Sequence, residues 1–471
     1  MFRGRVRQIH FVGVGGIGMS GLAEIVHALG FDASGSDLRP NSTTERLKAL
    51  GVKIHIGHRA SNIKGSDVVV YSSAIKPDNP ELVEALQGGI PVIARAELLA
   101  ELMRVKYGVA VAGSHGKTTT TSLVATVLRA AGFDPTVAVG GKMAALGSNA
   151  KLGAGDLMVA EADESDGSFL LLTPTIAVVT NIDPEHLDYW GSHERIKEAF
   201  IQFLSRVPFY GLAVLCLDHP HVQSILPAVR RRHTTYGFSP QADYRAKNIE
   251  SNGLETSFDV LKHGELLAPF CVRMPGRHNV LNTLATIAVA DELEVPIDVI
   301  QSSLSDFDGV ARRFTVIGKV EGVTLIDDYG HHPAEIKATL EAARAGFDKR
   351  IVVVFQPHRY SRTRDLFEQF VTSFNLADIV VVTDIYPAGE APIAGVSAEL
   401  VAKALKEHGH QRVHYVGDKD QLPDFLQRMV VEGDVVIAQG AGDINQSIRE
   451  LGKRLESQSE ARSNLSRQEV S

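Results

Sequence analysis

The residues best suited to chemistry lie between Val109 and Thr121, in the stretch VAVAGSHGKTTTT. Small apolar residues suit a buried strand. Gly113-Ser114-His115-Gly116 then supplies a turn whose glycines permit a sharp bend or the close approach of a ligand. Lys117 and Thr118 follow, and SLVATVLRAAG carries apolar residues at helical spacing. Strand, glycine turn, Lys-Thr and helix make a phosphate cradle. Backbone N–H groups at the helix start face phosphate oxygens, the lysine places a charge at the terminal phosphates, and the Thr118 hydroxyl can ligate Mg2+. Gly113, Ser114, His115, Gly116, Lys117, Thr118 and Thr119 are therefore expected to hold a nucleotide. Only Ser114 and His115 separate the glycines, where the usual pattern has about four residues, so the loop is a compact variant.

Two polar stretches follow buried strands further on. LMVA at Leu157–Ala160 leads into EADESD, Glu161–Asp166, which is either a magnesium site beside the phosphate loop or a solvated acidic turn. IAVVT at Ile176–Thr180 leads into a turn with Asn181, Asp183 and His186. His186 reads equally as a second metal ligand or as a histidine at a helix start. Near the front, Gly13–Gly18 matches GxGxxG between a strand at Arg7–Val14 and the helix MSGLAEIVHALG, and the next strand ends at Asp37. Taken alone this suggests a dinucleotide site with Asp37 on a ribose hydroxyl, although βαβ turns are glycine-rich for packing too.

These loops need scaffolds. A chain of 471 residues, 44% hydrophobic and 22% charged, has room for about three domains, each with its own core. The strand–helix alternation predicts an α/β protein of three domains. A Rossmann-like domain spans 1–105, and a P-loop ATPase-like domain with a mostly parallel sheet spans 106–311. A second Rossmann-like domain spans 312–455, and residues 456–471 form a polar tail expected to be disordered. Leu254–Val272 reads as a hairpin region turning at His263-Gly264. His278, Asn279 and Asn282 cluster at a helix start, where they either contact adenine or cap the helix. In the last domain IVVVFQPHRYSRTRD ends a strand in a loop rich in arginine and histidine, suited to a small anion such as an amino-acid carboxylate. Arg312-Arg313 lies at the preceding hinge, either as linker arginines or placed to reach a terminal phosphate on closure.

The net charge of −8 argues against nucleic acid as a partner. Cys216 and Cys271 have neither disulfide nor zinc spacing, which fits a reducing cytoplasm, and no apolar run is long enough for a membrane. The basic N-terminal residues before IHFVGVGG read as leading into a first strand, since glycines interrupt the apolar run.

GSHGKTTTT, EADESD, TNIDPEHLD, RHNVLN, DDYGHHP and HRYSRTRD, in that order, resemble the Mur ligase family of ATP-dependent peptidoglycan precursor enzymes over about Ile9–Leu451. The front stretches HFVGVGGIGMSGLAEI and GSDL are most similar to the member that adds L-alanine. The resemblance implies transfer of the ATP γ-phosphoryl group to the lactyl carboxylate of UDP-N-acetylmuramate, then attack by the amine of L-alanine. It implies that Lys117 binds β- and γ-phosphates, that Thr118 and Glu161 hold one Mg2+, and that His186 holds a second. His278, Asn279 and Asn282 would contact adenine, and Arg313 and Asp328 the γ-phosphate and ribose. Tyr329, His331, Arg359 and Arg362 would form the alanine pocket, with His331 helping to deprotonate the amine. Gly15, Gly16, Ile17 and Gly18 would take the UDP diphosphate, with Ser72 and Ser73 nearby, in place of NAD. By the same resemblance, several sister ligases carry a carbamylated lysine fourteen positions after the histidine matching His186; here that position is Phe200. A ligase of the same family attaching an intact tripeptide, a nicotinamide oxidoreductase and a nucleotide-driven switch stand as alternatives, and monomer or homodimer stays open.

Overall fold

The computed structural model describes residues 6–72, 74–139 and 150–468, without side-chain detail for 17, 188 and 460–468. Three sheets carry three α/β domains. In the first, five parallel strands run in the order Lys53–Ile56, Asp32–Asp37, Gln8–Val12, Val68–Tyr71, Val92–Ala94. The order reverses beside Gln8–Val12, so the turn at Gly13 and the loop at Ser72 open together at a switch point, where such sheets bind ligands.

In the central domain the phosphate-loop strand Tyr107–Ala112 lies between Leu157–Ala162 and Ile176–Val179, parallel to both. Ala112 pairs with Ala162 on one side and Val179 on the other. The acidic hexad and the Thr180–Asp183 turn therefore emerge on either side of the loop. That register makes one site of three segments scattered over seventy residues of sequence. All four Ile176–Val179 side chains are buried, as a strand covered on both faces requires. The sheet continues through Leu212–Cys216 and His233–Gly237 to an edge of three strands, the last two being Glu255–Lys262 and Glu265–Val272. The expected turn sits between these two, with His263 and Gly264 both at positive φ.

The first two domains group into one compact unit, which also takes in residues 258–271 and 279–310; residues 250–257, 272–278 and 311–471 group into a second. The second unit is built on a six-stranded sheet that is parallel except for its edge pair Thr315–Val320 and Val323–Asp328. Asp328 and Phe355 both pair with Gln439, so the loops after three strands open side by side.

The tail departs from the expected disorder. The last helix, Ile444–Gln468, continues through it, anchored by Ile444, Ile448, Leu451 and Leu455 in the core. A helix nucleated on that buried face can be propagated by polar residues with good helical propensity.

Candidate active site

The phosphate loop is shaped by close packing. Gly113 has φ +135°, and a Cβ there would lie 2.1 Å from Thr180 Oγ1. Gly116, at φ +82°, ends the turn; a Cβ there would lie 2.5 Å from Asn282 Oδ1. The Thr180–Asp183 turn splints the loop. Thr180 Oγ1 donates to the His115 carbonyl at 2.6 Å, the His115 N–H donates to Asn181 Oδ1 at 2.7 Å, and the Asp183 N–H donates to Ser114 Oγ at 2.8 Å. Ser114 to Thr118 are half-buried at the rim, while Thr119 is buried along the inner side of the helix Lys117–Ala130.

Lys117 folds back over its own turn. Its Nζ donates to the Gly113 carbonyl at 2.6 Å and to the Glu164 carboxylate at 2.8 and 3.1 Å. Burial alone would lower the lysine pKa, but the charges of Glu164 and Asp163 overcome it and hold the ammonium above its ordinary value. Glu161, next to last in its strand, is half-buried and lines a pocket with Gly18, Arg95, Leu99 and Asp163. That pocket joins the glycine turn of the first domain to the acidic hexad. His186 stands at φ +54° at the start of a short helix, Leu187–Trp190, and ligand atoms of Glu164, Glu185 and His186 lie within 4.8 Å of one another. Asp183 is 3.3 Å from the Nε2 atoms of both His115 and His219, and despite burial these partners hold its pKa well below the usual range.

In the first domain the Gly15 N–H donates to Asp37 Oδ2 at 2.8 Å, and a Cβ on Gly15 would meet Asp37 and Asn41 at 2.7 Å. Gly16 caps the helix Ile17–Ala28, and Gly18 lies against the Arg95 guanidinium. The Ile17 side chain and Ser73 fall outside the described residues. Ser72 sits at the switch point, its hydroxyl accepting from the Ala74 N–H.

The adenine trio is divided. Asn279 and Asn282 belong to the first unit and His278 to the second. Asn282 Oδ1 accepts from Thr120 and its Nδ2 donates to Asn279 Oδ1. Both amides are buried, so Asn282 braces the phosphate-loop helix from beneath.

In the second unit, Tyr329, His331, His358 and Arg362 come together. The His331 ring is 5.4 Å from those of Tyr329 and His358, and His358 stacks on Tyr386 at 5.5 Å. The guanidinia of Arg312 and Arg313 lie 5.0 and 5.3 Å from the Tyr329 ring. Burial lowers the His331 pKa, and Arg362 adds to this against an opposing Glu335. Burial, with His331 and Arg362, lowers that of His358 to about 4. Both rings are neutral at pH 7, and Arg362 Nη1 lies 3.1 Å from His358 Nδ1. Arg359 reaches outward at φ +70°, 4.0 Å from Glu390.

Asp328, expected at the ribose, ends the strand Val323–Asp328. It is buried, accepting from the Phe314 and Gly330 N–H groups, Thr339 and Gln439. Burial raises its pKa. With both oxygens committed inward, it fixes the backbone around Arg313 and Tyr329. Glu185, Arg95 and Tyr386 were not singled out from sequence as site residues, and Glu164 and His358 only as members of the acidic hexad and the basic loop. Only the strand register and the packing reveal which polar residues of each loop point to the site.

Family models match three consecutive parts of the chain: "Mur ligase family, catalytic domain" over residues 8–107, "Mur ligase middle domain" over 111–290, and "Mur ligase, glutamate ligase domain" over 312–442. The chain is 69% identical to the UDP-N-acetylmuramate–L-alanine ligase of Sorangium cellulosum over 98% of both chains. The crystal structure of the UDP-N-acetylmuramate-alanine ligase of Thermotoga maritima aligns with a TM-score of 0.80 at 32% identity, covering 96% of this chain and 99% of that one. A murein peptide ligase from Psychrobacter arcticus shares the fold, with a TM-score of 0.66 at 24% identity over 95% of this chain and 98% of that one.

Proposed function

The chain belongs to the Mur ligase family, and from that premise we propose that it joins L-alanine to the lactyl carboxylate of UDP-N-acetylmuramate, with ATP converted to ADP and phosphate. The carrying observation is the identity of 69% over 98% of both chains with a ligase named for that reaction. The geometry supports it from three sides.

A carboxylate is a poor acyl donor because oxide leaves badly; phosphorylation by ATP provides a good leaving group. The N–H groups of the Gly113–Gly116 turn and the charge of Lys117 suit the β- and γ-phosphates. The pocket between Gly18 and Glu161 suits an acid held by its nucleotide on the first glycine turn and presented to the phosphate loop. Hard oxygen donors at Thr118 and Glu161 fit one magnesium ion, and the carboxylate and imidazole pair at Glu185 and His186 fits a second. Bound magnesium would neutralise phosphate charge as it is transferred. In the second unit, Arg359 and Arg362 suit the alanine carboxylate. A neutral His331, with Nδ1 at 3.1 Å from the Tyr329 carbonyl, suits acceptance of the proton that the alanine ammonium must lose before attack. Nitrogen then bonds to the acyl carbon and phosphate departs. Among the described residues no helix is long and apolar enough to cross a membrane, in keeping with a cytoplasmic site for water-soluble substrates.

ADP release should require UDP-N-acetylmuramate, L-alanine and magnesium together, and mass spectrometry should find the new amide. Turnover with an intact tripeptide but not with L-alanine would overturn the assignment.

A further inference from the structure

Glu164 has two possible partners that it cannot serve fully at once. Its side chain is 3% exposed, and both oxygens accept from Lys117. A buried carboxylate requires such a counter-charge. Glu164 also lies with Glu185 and His186 in a group whose ligand atoms are all within 4.8 Å. The Glu164 carbonyl accepts from Trp190 Nε1 at 3.0 Å, and Trp190 ends the short helix that His186 begins. The acid and the histidine are therefore fixed to one another. His186 holds a positive φ that a non-glycine residue adopts at some cost, of a kind that recurs where a side chain must be aimed.

We infer that Glu164 serves these partners in succession. It neutralises Lys117 while the phosphate loop is empty. When triphosphate oxygens take the lysine, Glu164 joins Glu185 and His186 as a ligand of the second divalent cation. The inference rests on the reading of the chain as an ATP-dependent ligase. It makes triphosphate and cation cooperative, because each removes the cost that the other would meet in separating lysine from carboxylate.

Mn2+ is a suitable probe, its free concentration read by electron paramagnetic resonance with the full chain. Without nucleotide, Lys117→Met should bind Mn2+ about tenfold more tightly than the unsubstituted chain, because the carboxylate has lost its cation. Lys117→Met/Glu164→Gln should lose that gain. Misfolding does not mimic a gain that a second substitution removes. With a non-hydrolysable ATP analogue, Glu164→Gln should weaken the second Mn2+ about tenfold and leave the first intact. Trp190, the one tryptophan of the chain, should report the transfer as a fluorescence change that Glu164→Gln diminishes. Unchanged Mn2+ affinity in Lys117→Met, or two Mn2+ ions held at full strength by Glu164→Gln, would overturn the inference. Amide formation by the unsubstituted chain separately decides the reading beneath it.

Discussion

Two glycine turns each open a helix, and they are finished by opposite charges. At Gly13–Gly18 the Gly15 N–H is taken by the carboxylate of Asp37, and no lysine follows. At Gly113–Gly116 the His115 N–H is taken by the neutral amide of Asn181, and Lys117 begins the helix. The first turn carries a negative charge against its own backbone, and the second a positive one. A helix N-terminus favours anions in both places. The neighbours decide how much negative charge each can accept: under the proposed function the first would hold a bridging diphosphate that stays intact, and the second a triphosphate whose charge shifts in reaction. Asp37 and Asn181 lie far off in sequence, so the glycines alone do not separate the two turns.

The most severe way to break this contrast is Lys117→Ala. It should reduce kcat by about a thousandfold or more while UDP-sugar affinity, measured by calorimetry, stays within about twofold. Loss of UDP-sugar binding there would mean the turns do not act separately. Gly113→Ala should be next, since its methyl would meet Thr180 Oγ1 and the backbone N and O of Asn181. A fall in melting temperature equivalent to about 2–4 kcal/mol, with weakened ATP binding, is expected. Asp37→Ala should sharpen the contrast from the other side, raising the KM for UDP-sugar about tenfold and leaving that for ATP nearly unchanged.

The last effect falls on acid stability rather than on turnover and concerns the brace behind the first turn. The Ser36 carbonyl accepts from the Gly13 and Val14 N–H groups, and the Ser36 hydroxyl donates to buried Glu81 at 2.5 Å. Burial opposes the charge on Glu81, but His10, Ser36 and Asn62 more than offset it and lower its pKa to about 2. Because the folded value is depressed, the stabilisation is complete above the unfolded value near 4.5 and is lost as pH falls toward 2. Glu81→Gln should therefore flatten acid unfolding across that window, by at most about 3 kcal/mol. An acid limb identical to that of the unsubstituted chain would remove Glu81 from the brace.

Much of the fold was legible in the chain because apolar runs, glycine turns and helical spacing recur in strict alternation. The phosphate loop was legible for a similar reason: its geometry is local. What escaped was set by distance. EADESD announces carboxylates, but only the register of Ala112 with Ala162 decides that Glu164 meets Lys117. Asp328 ends a strand in a polar loop, but only the fold shows that Gln439 from another strand donates to it. The polar tail lacked its own apolar face, and the helix it extends draws on a buried segment before it.

Phe200 carries a practical consequence. Relatives with a lysine at that position must capture dissolved carbon dioxide on its amine to become carbamylated. An aromatic ring buried against Phe169 has no nitrogen to capture it. Turnover here should proceed at the same rate in degassed buffer as under added bicarbonate, so this first addition would be indifferent to the surrounding atmosphere while lysine-bearing relatives are not.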